Sequence, residues 1–168
     1  MSYERSNWIK FHVNGDCREF AIGARPGELP PSETLADTLR ERLGLTGTKV
    51  GCDRGSCCSC TVLINGVPSL SCMTLTVECD GASVTTIEGL PDPATGELDP
   101  LQQAFIDHTA YQCGFCTPGM IIAAKALLTE VSSPTEEEIK VALGGHYCRC
   151  ISHYHVLDAV ADAAGRKR

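Results

Sequence analysis

Cysteine constrains this chain more than any other residue type. The 168 residues contain 11 cysteines, an odd number that cannot all pair as disulfides. A chain of this length buries roughly 70% of its unfolded surface, so it does not need disulfides merely to remain folded. Cysteines at this density indicate a framework held by disulfides or by metal, and the redox compartment decides between the two.

The start of the chain favours a reducing compartment. The segment MSYERSNWIK carries charges at positions 4, 5 and 10 and no apolar run, so we expect no secretory signal. The longest apolar stretch, over residues 120–128, is interrupted by Lys125 and is too short to span a membrane. We therefore predict a cytoplasmic protein in which clustered cysteines bind metal.

The charge of the chain disfavours nucleic acid as a partner. The formal net charge is -7, and the sequence contains no basic stripe of the kind that phosphate contacts require. Three basic residues at positions 166–168 are interpreted as a solvated chain end. Hydrophobic residues make up 43% and charged residues 21%, which is typical of a folded globular protein.

The first half of the chain has the pattern of a small mixed sheet crossed by one helix. Asn14-Gly15 separates two apolar runs, which is a strong hairpin signal. Leucines at helical spacing then follow Ser32 and Thr34, either of which can cap a helix. The predicted elements are a hairpin over residues 9–22, a helix from Pro31 to Gly44, and strands over residues 61–64 and 84–87.

The second half is predicted to be helical. Residues 89–100, GLPDPATGELDP, are rich in proline and glycine and have the composition of a linker. Four short helices are expected after it, which suggests a bundle of their own. Their predicted N-caps are Asp99, Thr117, Thr135 and Ser152.

Four cysteines of the first half, here called the first quartet, have the spacing of an iron-sulfur centre. Cys52, Cys57 and Cys60 form C-x4-C-x2-C in a glycine-rich loop over residues 47–60, and Cys72 follows. This spacing is the plant-type arrangement for a 2Fe-2S cluster. Structural zinc more often uses short C-x2-4-C pairs. The spacing favours iron-sulfur and leaves zinc, disulfide and free-thiol chemistry as alternatives.

Four cysteines of the second half form a second quartet. Cys113 and Cys116 give C-x2-C, and Cys148 and Cys150 give C-x-C. Both pairs precede predicted helices, whose positive N-termini stabilise an anionic centre and raise its reduction potential. A Cys-Gly-Phe-Cys segment before a helix is also typical of a thioredoxin-type dithiol, but that alternative gives Cys148 and Cys150 no role.

Three cysteines remain outside the quartets. Cys17 and Cys79 are predicted to be small buried residues. Cys58, inside the 47–60 loop, is interpreted as a bystander thiol that could substitute for a lost ligand. Exposed or capping positions are expected for the histidines near the second quartet, His146, His153 and His155.

Three segments carry a resemblance to a known family. They are GCDRGSCCSCTVLINGVPSLSC over residues 51–72, QCGFCTPGM over residues 112–120, and ALGGHYCRC ending at Cys150. Together they resemble the small iron-sulfur subunit of the molybdenum hydroxylase, or xanthine oxidase, family. The resemblance extends over roughly residues 7–164, and two quartets in the family's order make it specific.

The resemblance implies an α+β fold in two domains. Residues 1–88 would form an N-terminal β-grasp, ferredoxin-like 2Fe-2S domain, and residues 89–168 a C-terminal four-helix-bundle 2Fe-2S domain. The implied ligands are Cys52, Cys57, Cys60 and Cys72 for one cluster and Cys113, Cys116, Cys148 and Cys150 for the other.

The resemblance also implies a function in electron transfer. The chain would relay electrons between a molybdopterin cofactor on a large subunit, often a cytosine dinucleotide in bacteria, and FAD on a medium subunit, in a heterotrimer or its dimer. The C-terminal cluster would lie next to the pterin, and Gln112 and Cys150 match the positions that approach it. No acid-base pair or activated nucleophile lies in a recognisable motif, so the substrate site is expected on another subunit.

The chain departs from the family pattern in three places. Cys58-Ser59 replaces the usual Gly-Ala, His146-Tyr147 replaces Asn-Leu, and Ile151-Ser152-His153 replaces Thr-Gly-Tyr. The first departure is expected to affect the potential or the solvent access of the ferredoxin-like cluster. The other two are expected to affect the pterin-facing side.

Overall fold

The computed structural model describes residues 7–165, which form a mixed α+β structure. The basic residues at positions 166–168 and the charges at positions 4 and 5 lie outside the described residues. The strands are β1 (Trp8–Val13), β2 (Asp16–Ala21), β3 (Thr61–Ile64), β4 (Val67–Leu70) and β5 (Ser83–Thr85). The sheet order is β2-β1-β5-β3-β4, in which β1 and β5 are parallel and the other neighbours antiparallel.

Two tight hairpins form at the Asn-Gly pairs. Asn14 and Gly15 have φ values of 53° and 89°, and Asn65 and Gly66 have 51° and 83°. Positive φ at both central residues is what a two-residue type I′ turn requires, and Asn-Gly provides it at low cost. The first hairpin is thereby confirmed. The strand predicted over residues 84–87 is instead β5 followed by a 3-10 turn, Ile87–Gly89.

One helical segment crosses the sheet, as predicted, but it covers residues 35–42 and not the whole predicted range from Pro31 to Gly44. Thr34 is its N-cap, and the Thr34 hydroxyl accepts a hydrogen bond from the backbone N–H of Asp37 at 3.2 Å. Helix α1 (Leu35–Asp37) continues directly as a π-helical turn, Thr38–Arg42. Leu35 and Leu39 are fully buried against the sheet in a hydrophobic cluster with Phe11, Val13, Val62 and Val84.

Four further helices follow residues 90–99, which contain no regular element. They are α2 (Pro100–Asp107), α3 (Thr117–Glu130), α4 (Glu136–Leu143) and α5 (His153–Ala163). Asp99, Thr135 and Ser152 cap their helices with side-chain hydrogen bonds, as predicted. The prediction for Thr117 is wrong, because Cys116 already has helical backbone angles and α3 starts at Thr117 itself.

The helices share a second hydrophobic cluster, which includes Leu101, Phe105, Met120, Ile139 and Val156. A smaller cluster joins the sheet to α3: Leu63 of β3 packs with Ile122 and Ala126. Helix α3 therefore lies against the sheet, and its N-terminus points to the 47–60 loop. None of the helices within residues 7–165 has the length and apolarity to cross a membrane.

Candidate metal centres

The sheet brings the members of the first quartet together. Cys60 immediately precedes β3, and Cys72 lies in a 3-10 turn after β4. Because β3 and β4 pair in register, these two residues meet, and the Ser71 hydroxyl donates to the Cys60 carbonyl at 2.7 Å. The thiols of Cys60 and Cys72 interact directly, as do those of Cys52 and Cys57. Cys60 and Cys72 are buried, whereas Cys52 and Cys57 are partly exposed.

Backbone amides and burial act on different members of the first quartet. N–H groups of Arg54 and Ser56 point to the Cys52 sulfur, the second at 3.2 Å, and lower the pKa of this thiol to about 7. Burial, followed by the neighbouring Cys60 thiol, raises the pKa of Cys72 to about 11. A bound cation deprotonates coordinating thiols, so the four sulfurs are suited to act together as thiolate ligands when metal binds.

The second quartet is assembled from two loops that each precede a helix. The sulfurs of Cys113 and Cys150 are 3.7 Å apart, and the thiols of Cys116 and Cys148 interact directly. Each cysteine of the C-x2-C pair therefore contacts one cysteine of the C-x-C pair. This arrangement uses all four thiols, whereas a thioredoxin-type dithiol would use only Cys113 and Cys116.

The environment of the second quartet favours a negatively charged group. The Cys148 sulfur accepts from the backbone N–H groups of Cys150 and Ile151, both at 3.4 Å. Burial acts to raise the pKa of Cys148, but the Ile151 amide, the Cys116 thiol and the Cys150 amide together lower it. Burial, followed by Cys148, raises the pKa of Cys116 to about 12. The N-termini of α3 and α5 add positive potential nearby.

The donor set fits a two-iron cluster. In both quartets the thiols are grouped as two contacting pairs, and a 2Fe-2S cluster uses two protein ligands on each iron. Within residues 7–165, no three His, Cys, Asp or Glu side chains converge as ligands of a single ion. Soft thiolates with amide hydrogen bonds to sulfur are the chemistry that iron-sulfur clusters require.

A cavity of about 230 Å³ lies at the second quartet, next to the 47–60 loop. Its walls include all four cysteines of the second quartet, Cys57 of the first quartet, Phe115 and Tyr147. Gln112, Cys113 and Cys150 are exposed, so the second quartet has one edge open to the surface. All four predicted ligands of the second centre and one predicted ligand of the first, Cys57, thus border the same space.

Backbone contacts join the 47–60 loop to the segment before Cys148. The N–H of Tyr147 donates to the carbonyl of Cys57 at 3.2 Å. The Cys58 sulfur packs on Gly145, where a β-carbon would be 3.0 Å from it. Cys57 and Cys148 belong to different quartets, so one hydrogen bond and one peptide unit connect the two predicted ligand sets.

Two predictions about residues outside the quartets are wrong. His146 is buried, with 7% exposure, because it packs between α4 and Thr61, a residue 85 positions earlier. Burial lowers the pKa of His146, so the ring is neutral at neutral pH. Cys17 is exposed on the edge strand β2, because strand alternation turns it to solvent. Cys79 is buried as predicted, and burial raises its pKa to about 11.

Comparison with known proteins identifies similar sequences over nearly the whole chain. A family model described as a 2Fe-2S binding domain matches residues 86–161. The nicotine 6-hydroxylase small subunit of Paenarthrobacter nicotinovorans is 46% identical over 158 residues, which cover 94% of this chain and 90% of that protein. The nicotinate dehydrogenase small FeS subunit of Eubacterium barkeri is 41% identical, with 94% and 95% covered.

A solved structure is similar to the same extent. The matched chain in the crystal structure of quinoline 2-oxidoreductase from Pseudomonas putida 86 has a TM-score of 0.84 at 43% sequence identity. The match covers 95% of this chain and 96% of that chain. The mixed α+β fold described above is therefore shared with a chain of that oxidoreductase.

Proposed function

Because this chain belongs to the family of small iron-sulfur subunits of molybdenum hydroxylases, we propose that it carries two 2Fe-2S clusters and relays single electrons between partner subunits. The two ends of the relay are a molybdopterin cofactor on a large subunit and FAD on a medium subunit. We further propose the cytosine dinucleotide form of the pterin and a cytoplasmic heterotrimer or its dimer. When bound, the clusters supply reversible one-electron redox chemistry.

The eight quartet cysteines are the proposed ligands. Cys52, Cys57, Cys60 and Cys72 hold the first cluster, and Cys113, Cys116, Cys148 and Cys150 hold the second. The first set belongs to a β-grasp, ferredoxin-like domain over residues 1–88, and the second to a four-helix-bundle domain over residues 89–168. The separate hydrophobic clusters of the sheet and of the helices support this division.

One observation carries the proposal: the hydrogen bond from the Tyr147 N–H to the Cys57 carbonyl. An electron relay needs its two centres linked by a short and rigid path. The bond joins the peptide of one proposed ligand, Cys57, to the residue next to another, Cys148. The path between the two proposed clusters is therefore covalent except for this one hydrogen bond.

The chain also prepares the charge environment of the clusters. Backbone N–H groups point to the sulfurs of Cys52 and Cys148, and such bonds stabilise the more negative, reduced state of a cluster. Helices α3 and α5 begin beside the second quartet, and their N-termini act in the same direction. The second centre is therefore built to accept electrons readily.

The exposed edge of the second quartet is the proposed entry point. Gln112 and Cys150 are exposed there, and we assign them to the face that approaches the pterin. Phe115 and Tyr147 are exposed beside them, at 44% and 64%, and provide apolar surface for a partner protein. Similar small subunits are named for nicotine and nicotinate, and we place the substrate site of this complex on a different subunit.

Spectroscopy on the isolated complex tests the proposal. We expect a brown protein with about four iron atoms and four acid-labile sulfides contributed by this chain, and two distinct paramagnetic signals after partial reduction. Stoichiometric zinc without iron would identify a zinc-stapled interaction module instead. Redox activity that survives replacement of Cys148 and Cys150 by Ser would identify a dithiol oxidoreductase.

A further inference from the structure

His146 occupies a buried position that the two proposed ligand sets do not explain. The side chain is 7% exposed, and its Nε2 atom lies 3.4 Å from the Thr61 hydroxyl. Its Nδ1 atom is buried and makes no hydrogen bond of ordinary geometry within the described residues, and the backbone of Gly119 and of Leu143 lies near the ring. Burial of a nitrogen without a well-formed hydrogen bond is unfavourable, so the other contacts of the ring must hold it in place.

The other hydrogen bond of the Thr61 hydroxyl determines which group donates in its contact with His146. The Thr61 hydroxyl donates its single proton to the Cys58 carbonyl at 2.7 Å. The hydroxyl oxygen can therefore only accept from the ring, so a hydrogen bond at this contact requires a proton on Nε2. The result is a chain of donors from His146 through Thr61 to the carbonyl of Cys58.

These two hydrogen bonds lie beside the hydrogen bond that joins the two quartets. Tyr147, the next residue after His146, donates its N–H to the carbonyl of Cys57, the residue before Cys58. Two consecutive residues of one loop thus hold two consecutive carbonyls of the other, one directly and one through Thr61. Gly145 adds a third contact, with the Cys58 sulfur.

We propose that His146 is a positioning residue for electron transfer between the two clusters. By anchoring the Cys58 carbonyl through Thr61, it holds the Cys57 peptide at the orientation that the Tyr147 N–H requires. Electron tunnelling falls steeply with the gap between the bonded paths, so a small displacement of this peptide slows transfer. The inference rests on the proposed function, since it presupposes a cluster at each quartet.

Matched variants separate the hydrogen bond from packing. The amide nitrogen of Gln reaches the place of the histidine Nε2, whereas that of Asn reaches only the place of Nδ1. We therefore expect His146→Gln to keep the contact with Thr61 and His146→Asn to lose it. Thr61→Val removes the hydroxyl at nearly constant volume, and Thr61→Ser retains it.

The experiment measures the transfer rate between the clusters in the assembled complex after rapid photoreduction, together with their magnetic coupling in the doubly reduced state. We expect His146→Asn and Thr61→Val to slow transfer on the order of tenfold, and His146→Gln and Thr61→Ser to stay close to the wild-type rate. Iron content and the signal of each isolated cluster should not change. A purely structural role would lower thermal stability without this pattern of rates.

Two results overturn the inference. The first is that His146→Asn and Thr61→Val both retain all their iron and both keep the wild-type transfer rate and magnetic coupling. The second is that His146→Gln and His146→Asn slow the transfer equally. If His146→Asn loses iron, the pair Thr61→Val and Thr61→Ser decides the question alone. A wild-type complex that lacks two clusters would refute the proposed function itself, which is a separate outcome.

Discussion

The carbonyl oxygen of Cys58 faces Gly119 so closely that a β-carbon at residue 119 would lie 2.4 Å from that oxygen. The α-carbon and carbonyl oxygen of Ser59 would both be 3.2 Å away. All three are backbone atoms, which cannot rotate aside as a side chain can. The first turn of α3, which begins just after Cys116 of the second quartet, therefore packs directly on the 47–60 loop of the first quartet.

Gly119→Ala should consequently destabilise the protein. The added methyl group forces the helix and the loop apart, and overpacking of this kind costs about 1–3 kcal/mol. We expect a lower thermal midpoint and an altered magnetic coupling between the two centres. Gly144→Ala is the matched control, since its β-carbon meets only carbonyls of its own helix, at 3.2 and 3.4 Å. Equal midpoints for the two variants would contradict the packing argument.

Local signals made much of this fold predictable. The turn at Asn14-Gly15 and the N-cap at Thr135 each depend on residues within four positions of each other, and the structure confirms both predictions. The burial of His146 was missed because it depends on Thr61, which lies far away in sequence. No periodicity or spacing encodes such a contact.

The exposure of Cys17 was missed for a different reason. Cysteine is usually buried, but Cys17 pairs with His12 on the outer face of an edge strand, where alternation leaves both side chains in solvent. The residue type predicts that Cys17 is buried and its strand position predicts that it is exposed, and the strand position determines the observed exposure. The quartets are easier to predict from the sequence than these environments, because C-x4-C-x2-C and C-x2-C each place their thiols in a single loop.

Serine substitutions should separate the two proposed clusters. Cys60→Ser and Cys116→Ser each remove a buried thiol from one quartet, so we expect iron to fall from about four to about two atoms per chain. Each variant should lose a different paramagnetic signal. Cys17→Ser is the control, because Cys17 is exposed and outside both quartets. Loss of iron in the control, or none in both variants, would contradict the ligand assignment.

An ion pair with two hydrogen bonds stabilises the helical segment that crosses the sheet. Arg42 contacts both carboxylate oxygens of Glu33, at 2.6 and 2.7 Å, and donates to the Glu28 carbonyl. Glu33→Gln should lower the free energy of unfolding at pH 7 by about 1 kcal/mol, the upper range for a partly exposed pair. Glu19→Gln, which breaks the exposed pair with Lys10, should have almost no effect.

The Glu33 effect should depend on pH in a defined direction. The Arg42 hydrogen bonds lower the pKa of Glu33, burial opposes them, and the Thr38 hydroxyl adds to the lowering. A carboxylate with a lowered folded-state pKa stabilises the fold above its unfolded value, about 4.3, and this stability is lost as pH falls through the folded value. The gap in thermal midpoint between wild type and Glu33→Gln should therefore stay constant between about pH 6 and pH 8. A gap that widens as the solution is acidified would contradict this assignment.

Asp99 has two separable functions at the start of α2. One oxygen of its carboxylate accepts from the Leu101 N–H at 2.9 Å as the helix cap, and the other contacts the Lys125 ammonium of α3 at 2.5 Å. Asp99→Ala removes both and should cost about 1–2 kcal/mol. Asp99→Asn keeps an oxygen for the cap but loses the ion pair, so its cost should be about half as large. Denaturant unfolding of both variants checks this order, and an Asn variant as unstable as the Ala variant would show that the ion pair to Lys125, and not the cap, fixes α2 against α3.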